Sequence, residues 1–273
     1  MTPCASRRHN TLFFTSLGTL TGVYVLLLVA MIAAMFSFTS LTDLTGIFRD
    51  PAIRYATALS LISCTISAIL SLWVAIPAGY LLARFDFPGK QVIDMIFDIP
   101  IVLPPLVVGL ALLILFQTLP GRWFEGNIFE VTYQIPSVIL AQFTVACAFA
   151  IRTMRVAFDQ IDPRREAVAR TLGCSRASAF LRVALPEAWP GVVAAFTIAW
   201  ARALGEFGPV LVFSSATRMR TEVLPTTVFL ELSLGNLDSA LAVSILMLLA
   251  AVAVLGITRA LSARSMRTTE VIR

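Results

Sequence analysis

Arg202 and Glu206 interrupt an otherwise apolar stretch that runs from Gly191 to Phe213. They are four residues apart, so on a helix they would share a face and could form an ion pair. Each charge costs about 2.5 to 3.5 kcal/mol at the bilayer centre on insertion scales, so both side chains must face protein or water. Two interpretations stay open: the pair lines an aqueous path, or it only neutralises itself and joins helices.

The helical register of this stretch separates small and charged side chains from bulky ones. Trp200 and Leu204 belong to a bulky stripe that can face lipid or neighbouring helices, whereas glycines permit close helix approach. The small and charged stripe comprises Ala195, Ala199, Arg202, Glu206 and Pro209. If this stripe lines an aqueous path, the candidate path also includes two prolines of an earlier stretch. Its residues are Ala199, Arg202, Gly205, Glu206, Gly208, Pro104 and Pro105.

A charged run from Asp162 to Pro186 separates two strongly apolar stretches. Asp162 can cap a helix, Pro163 suits its first position, and Gly173 suits its end. A second helix would begin at Ser175. Its apolar stripe, with helical spacing, is Ala177, Phe180, Leu181 and Ala184. The run predicts two short amphipathic helices hinged at the glycine, which offer one face to a partner or lie against lipid headgroups.

Residues for covalent chemistry are scarce in this chain. His9 is the only histidine, so no Ser, His and Asp set can form, and no Cys or His pair has metal-ligand spacing. A GxxxxGK[ST] phosphate loop is also absent, so any ATP hydrolysis must come from another chain. Asp94 and Asp98 could form a proton or cation site, but their position near a span end favours solvated carboxylates. We expect no metal and no cofactor on this chain.

The composition predicts an integral membrane protein, because 58% of the 273 residues are hydrophobic and only 14% are charged. A membrane span needs roughly 20 apolar residues. Six stretches qualify: 12–38, 56–82, 93–116, 136–151, 191–213 and 239–261. The fourth is short unless it continues through Arg152 toward Phe158. We predict one transmembrane domain over 1–273, with an extra N-terminal span at about 12–38, a core at about 52–261 and the charged loop at 162–186.

The sequence also predicts the local structure of two further segments. Pro100, Pro104 and Pro105 would break the hydrogen-bond ladder of the third span, and free backbone is tolerated at membrane depth only against protein or water. Between the fifth and sixth spans, the segment 223–234 predicts a short helix or a re-entrant piece.

The distribution of basic residues predicts the orientation, because Lys and Arg near span ends prefer the cytoplasm. Fifteen basic residues fall on the side of the charged run and both termini, against five on the other side. The termini and the charged run are therefore expected in the cytoplasm. The positive charge reflects topology and gives no support to nucleic-acid binding.

The run from Asp162 to Pro186 resembles the EAA loop of ATP-binding cassette import permeases, which has a Glu-Ala-Ala triplet, then a Gly, then a Leu-Pro. The triplet departs from that pattern, since Ala167, Val168 and Ala169 stand in its place with Glu166 one position early. That offset is similar to the molybdate and sulfate branch. The resemblance implies that the loop docks into an ATPase subunit. The residues implied are Glu166, Ala167, Gly173, Ala177, Phe180, Leu181, Leu185 and Pro186.

Two apolar segments, FDIPIVLPPLVVGLALL and ARALGEFG, also resemble oxyanion permeases of that family. The resemblance implies an all-α fold of six transmembrane helices, like a type I importer permease, in a bacterial or archaeal plasma membrane. It implies a second permease chain, expected to be identical, ATPase subunits that hold ATP and Mg, and an extracytoplasmic substrate-binding protein. The expected cargo is molybdate or tungstate, with sulfate or thiosulfate next.

Other functions are alternatives to this one. A permease of the same family for another small solute stays open, as does a secondary transporter or channel that acts alone. The latter predicts repeats with broken helices at matching positions, and the proline-rich third span has no counterpart in the sixth. An intramembrane enzyme lacks a nucleophile with a nearby base.

Overall fold

The computed structural model describes residues 7–39 and 50–270, with side chains over 14–39 and 50–260. Those ranges contain helices and no strands. The helices are α1 (Arg7–Ser37), α2 (Pro51–Arg84), α3 (Lys90–Val102), α4 (Pro105–Gln117), α5 (Leu119–Asn127), α6 (Ile135–Asp159), α7 (Pro163–Thr171), α8 (Arg176–Glu187), α9 (Trp189–Leu204), α10 (Gly208–Ser214), α11 (Leu224–Ser233) and α12 (Leu237–Glu270). Within α8, Phe180–Ala184 forms one wide π-helical turn.

Four of the described helices, α1, α2, α6 and α12, are long and apolar enough to cross a membrane singly. Two bent pairs raise the number to six if each pair is counted as one span: α3 and α4 meet at 112°, and α8 and α9 meet at 70°. The all-helical, multispan prediction is confirmed. The fourth span does continue through Arg152, since α6 ends at Asp159. The prediction of a continuous fifth span is wrong, because α9 ends at Leu204 and α10 begins only at Gly208.

The core lies where α2, α6 and α9 pack together, and small residues set the spacing. A Cβ atom added to Gly79 on α2 would lie 2.8 Å from Met154 Cβ and 2.9 Å from the Arg155 backbone nitrogen. A Cβ on Gly191 would collide with Ala157. These glycines let the backbones approach closely, as is common where membrane helices meet.

Buried serines along α2 supply polar contacts to neighbouring segments. The Ser67 hydroxyl donates to the Ile139 carbonyl at 3.0 Å. The Ser60 hydroxyl accepts from the Leu224 backbone N–H at 2.8 Å, which fixes the start of α11 against α2. The opposite terminus of α2, at Arg84, contacts α7. The bundle therefore has a loop end, with α7 and α8, and a far end, with the start of α11.

The first helix stands apart from this core. None of the strongly apolar part of α1 is buried within the chain, although the helix touches α12. Its exposed side chains include Leu20, Tyr24 and Leu26. An apolar helix with no burial inside its own chain suits contact with lipid or with another helix.

Candidate functional site

Arg202 and Glu206 form the predicted ion pair, with 2.8 Å between Arg202 Nη2 and Glu206 Oε1. The Glu206 residue is 1% exposed, while the Arg202 side chain keeps 33% exposure. The guanidinium also lies over the Phe149 ring, 5.5 Å from its centroid. Glu206 lies beyond the last residue of α9, in the break before α10. The pair therefore sits where the helix is interrupted, and only its arginine reaches an accessible surface.

The break between α9 and α10 packs against the break between α3 and α4. A Cβ atom on Gly208 would lie 3.0 Å from both the Leu106 nitrogen and Pro105 Cβ. On the facing helix, a Cβ on Gly109 would lie 2.8 Å from the Pro209 Cα. Two predicted groups of path residues, about a hundred positions apart in sequence, thus come into direct contact. Pro104 precedes α4 and ends the hydrogen-bond ladder of α3, as its ring requires.

The exposed face of α9 is not the stripe of small and charged residues predicted from the sequence. Ala195 and Ala199 are 0% exposed and pack inside the chain. Trp200 is also buried, and its indole N–H donates to the Thr65 hydroxyl at 3.2 Å. Between Gly191 and Glu206, the exposed residues are Ala194, Ile198, Ala201 and Gly205. Of the predicted path, Gly205, Pro104 and Pro105 are exposed, whereas Gly208 is buried.

The charged loop has the predicted two-helix form. The Asp162 carboxylate accepts from the Arg164 N–H at 2.9 Å and caps α7. Gly173 adopts φ +93°, a left-handed conformation that glycine allows without a Cβ clash. Ser175 then caps α8 by accepting from the Ser178 N–H at 3.2 Å. Local sequence signals account for this hinge.

Glu166 points inward from α7 and joins it to α2. Its carboxylate accepts from the Tyr80 hydroxyl at 2.5 Å and from Arg84 Nε at 2.8 Å. Arg84 also donates through Nη2 to the Ile161 carbonyl at 2.8 Å. The Arg84 and Glu166 side chains are 9% and 12% exposed. We call these three side chains, Tyr80, Arg84 and Glu166, the loop brace.

The apolar stripe predicted on α8 divides between two faces. Phe180 packs inward, with ring centroids 4.5 Å from Tyr80 and 6.2 Å from Phe158. Phe180 therefore contacts other parts of the chain and does not belong to the outward face predicted for this stripe. Leu181 is 58% exposed, and Ala177 is exposed beside it.

Other residues of the loop also face outward. Leu172, just before the hinge glycine, is 82% exposed, and Val168 on α7 is 58% exposed. Ala167 and Pro186 are exposed as well, and Leu185 is half-buried. The sequence reasoning missed Leu172, although its place beside the glycine turn could have indicated it.

Asp94 and Asp98 are not solvated carboxylates, so that prediction is wrong. Arg155 Nη1 lies 2.7 Å from both Asp94 oxygens, and Arg152 Nη1 lies 3.1 Å from Asp94 Oδ1. Arg152 also forms an ion pair with Asp98. The partners come from α6, more than fifty positions away in sequence. These ion pairs attach α3, which has no buried residue, to the bundle.

The far end contains a buried carboxylate that the sequence did not indicate. Glu222 is 1% exposed, and neither carboxylate oxygen has a hydrogen-bond partner within the described residues. Burial raises its pKa; Thr227 and Arg218 lower it in part, while Glu231 and Asp50 add to the rise. The turn before it is held by the Tyr55 hydroxyl, which donates to the Arg220 carbonyl at 3.1 Å.

The two facing helix breaks and the two-helix loop lie within a part of the chain that matches a known protein family. The family described as the binding-protein-dependent transport system inner membrane component matches residues 75–268. The chain belongs to this family. It is a transport subunit of an ATP-binding cassette importer. In this family, a partner ATPase subunit hydrolyses the ATP.

Relatives of this permease carry the names of oxyanion transporters. It is 36% identical over 76% of its length to the molybdate/tungstate transport system permease protein of Thermococcus kodakarensis, 79% of which is covered. It is 29% identical over 92% of its length to the sulfate transport system permease protein of Escherichia coli, 92% of which is covered. The molybdenum permease protein of the latter organism is 33% identical over 67% of this chain and 81% of its own.

Solved structures confirm the fold of the permease. A chain of a bacterial alginate ABC transporter bound to its periplasmic protein superposes with a TM-score of 0.74 at 17% identity, covering 94% of this chain and 96% of that one. A chain of an inward-facing methionine ABC transporter superposes with a TM-score of 0.64 at 16% identity, covering 78% and 96%. The fold is therefore that of type I importer permeases.

Proposed function

We propose that this permease moves an inorganic oxyanion into the cytoplasm, with molybdate or tungstate as the first candidates and sulfate or thiosulfate next. The observation that carries the proposal is the Arg202–Glu206 pair at the contact between two broken helices. Arg202 keeps part of its surface open there, and a cation near the membrane centre lowers the electrostatic cost of a passing anion. The paired Glu206 weakens that attraction, and weak binding permits release. The names of the relatives support the cargo class.

The complete importer requires partners that the family implies. We propose that ATPase subunits, which hold ATP and Mg, dock on the outward surface of the loop around Leu172, Ala177 and Leu181. A substrate-binding protein would meet the far end, and a second copy of the chain would complete the path. This arrangement places the loop end and both termini in the cytoplasm of a bacterial or archaeal cell, as the basic residues favour.

Uptake by reconstituted vesicles tests the cargo and the role of the arginine. The permease, its ATPase and its binding protein are placed in proteoliposomes, and ATP-dependent accumulation of labelled molybdate, sulfate and maltose is measured. We expect oxyanion uptake only. Arg202→Gln should reduce it at least about tenfold, since a charged hydrogen bond contributes about 1.5 to 3 kcal/mol. Arg259→Gln, an exposed arginine on α12, is the matched control. Accumulation of the sugar, or equal loss in both variants, would contradict the proposal.

A further inference from the structure

A cleft of about 340 Å³ lies at the loop end, between the last turns of α2 and the two helices of the loop. One face of α7 contributes Glu166 and Arg170, α8 contributes Arg176, and α2 contributes Tyr80 and Arg84. The cleft is therefore lined by three arginines and one carboxylate. It is separate from the path residues on α9, α10 and α4.

The carboxylate in this cleft is already neutralised. Both oxygens of Glu166 are occupied, one by the Tyr80 hydroxyl at 2.5 Å and the other by Arg84 Nε at 2.8 Å. Arg170 and Arg176, in contrast, have no ion pair or hydrogen bond from their side chains to the rest of the described chain. Arg84 uses Nε and Nη2 within the brace and leaves Nη1 without a partner. The cleft is thus lined by guanidinium groups from α2, α7 and α8, and those of Arg170 and Arg176 have no side-chain partner within the described residues.

We propose that this cleft binds one phosphate-bearing anionic group between Arg170, Arg176 and Arg84. Guanidinium groups match phosphate oxygens in bidentate geometry, and three of them line this one cleft. Basic clefts beside membrane helices on the cytoplasmic side are recognised sites for anionic lipid headgroups. Here α2 ends at the cleft, with Leu81 exposed one turn earlier, so a headgroup is within reach. A free phosphate ion has the same chemistry and is the other source.

Occupancy of the cleft would affect the loop as a whole. Arg170 is on the α7 side of the Gly173 hinge and Arg176 is on the α8 side. An anion held by both, and by Arg84 of α2, would tie the two loop helices to each other and to the bundle. The angle between α7 and α8 would then be fixed by the ligand as well as by the glycine turn.

Binding to the isolated, delipidated permease tests the proposal and separates the two sources. Native mass spectrometry measures one-site binding of phosphatidylglycerol, with phosphatidylcholine for comparison, and titration calorimetry measures inorganic phosphate. The cleft variant is Arg170→Gln with Arg176→Gln. Its control, Arg164→Gln with Arg182→Gln, removes the same charge from exposed arginines of the same loop that lie outside the cleft.

We expect saturable binding of phosphatidylglycerol, of phosphate, or of both to the wild-type chain. The cleft variant should weaken it at least about tenfold and the control less than about twofold. The lipid arm and the phosphate arm identify the source. Absence of saturable binding in both arms, or equal loss in the two variants, would overturn the proposal. Loss of ATPase capture by the cleft variant without any anion binding would also overturn it, and would assign the cleft to an acidic segment of that partner.

Discussion

Removal of the Glu166 carboxylate should destabilise the isolated permease. The Arg84–Glu166 ion pair has 9% and 12% side-chain exposure, so a variant that removes one partner leaves the other charge buried. Breaking such a pair costs about 3 to 5 kcal/mol. The hydroxyl of Tyr80, which donates to the same carboxylate at 2.5 Å, loses its charged acceptor as well. We expect Glu166→Gln to lower the free energy of unfolding by about 2 to 4 kcal/mol, because the amide still accepts one hydrogen bond.

The magnitude can be checked by a double-mutant cycle in detergent. Glu166→Gln, Arg84→Gln and the double variant are unfolded with sodium dodecyl sulfate, without any partner protein. The coupling energy should reach about 1 to 3 kcal/mol, as for residues in one hydrogen-bonded network. Glu187→Gln is a control, since that carboxylate pairs with Arg165, whose side chain is 53% exposed, and should cost less than about 1 kcal/mol.

The same experiment distinguishes two roles of Glu166. If the carboxylate supports the loop from inside, the isolated chain loses stability and ATPase capture falls only as a consequence. If it contacts the ATPase directly, the isolated chain keeps its stability while capture falls. The stabilising role of the loop brace would be refuted if Glu166→Gln left the free energy of unfolding unchanged and if its effect and that of Arg84→Gln were additive.

Three further predictions concern the other sites. First, Glu222 has a raised folded-state pKa, so its contribution to stability is present below the unfolded pKa and is lost as pH rises through the folded pKa. The thermal unfolding temperature of Glu222→Gln should therefore fall less than that of the wild type between pH of about 5 and about 8. The exposed control, Glu130→Gln, should follow the wild type. Second, Asp98→Arg should destabilise the chain by repelling Arg152, and adding Arg152→Asp should restore at least about half of the lost stability; no rescue would show that the two do not interact. Third, Gly208→Ala should cost about 1 to 3 kcal/mol and slow uptake, because its Cβ would lie 3.0 Å from Pro105 Cβ; Gly205→Ala, with 3.7 Å to the nearest atoms, should be tolerated.

Features set by neighbouring residues could be predicted from the sequence. The hinge of the loop depends on Asp162, Gly173 and Ser175, each of which acts on backbone groups within three residues. The interruption of the third span follows from Pro104, whose ring cannot continue a helix. The short helix near the far end was expected at 223–234 and occurs at Leu224–Ser233.

Features set by distant residues could not be predicted. Asp94 and Asp98 find their arginines on α6, and a single sequence gives no sign of such pairing across helices. Phe180 faces inward because it packs against Tyr80 of α2 and Phe158 of α6, and helical spacing within α8 does not show such contacts. The sequence predicts one continuous helix through Glu206, but the helix ends at Leu204 and the next one begins at Gly208.

The contacts near the loop end of α2 indicate how a displacement of the loop would reach the path. Glu166 holds α7 to α2 through two charged hydrogen bonds, so α7 cannot slide on α2 without losing them. Along α2, Gly79 lies so close to Met154 that α2 and α6 must move together. The third helix of this core, α9, ends in the break that holds Glu206. A helix that is already interrupted can bend there at low cost, because no continuous hydrogen-bond ladder must be broken. If α7, α2 and α6 move as one rigid unit, the chain would therefore bend at the break after α9. That break holds the Arg202–Glu206 pair and lies against α4.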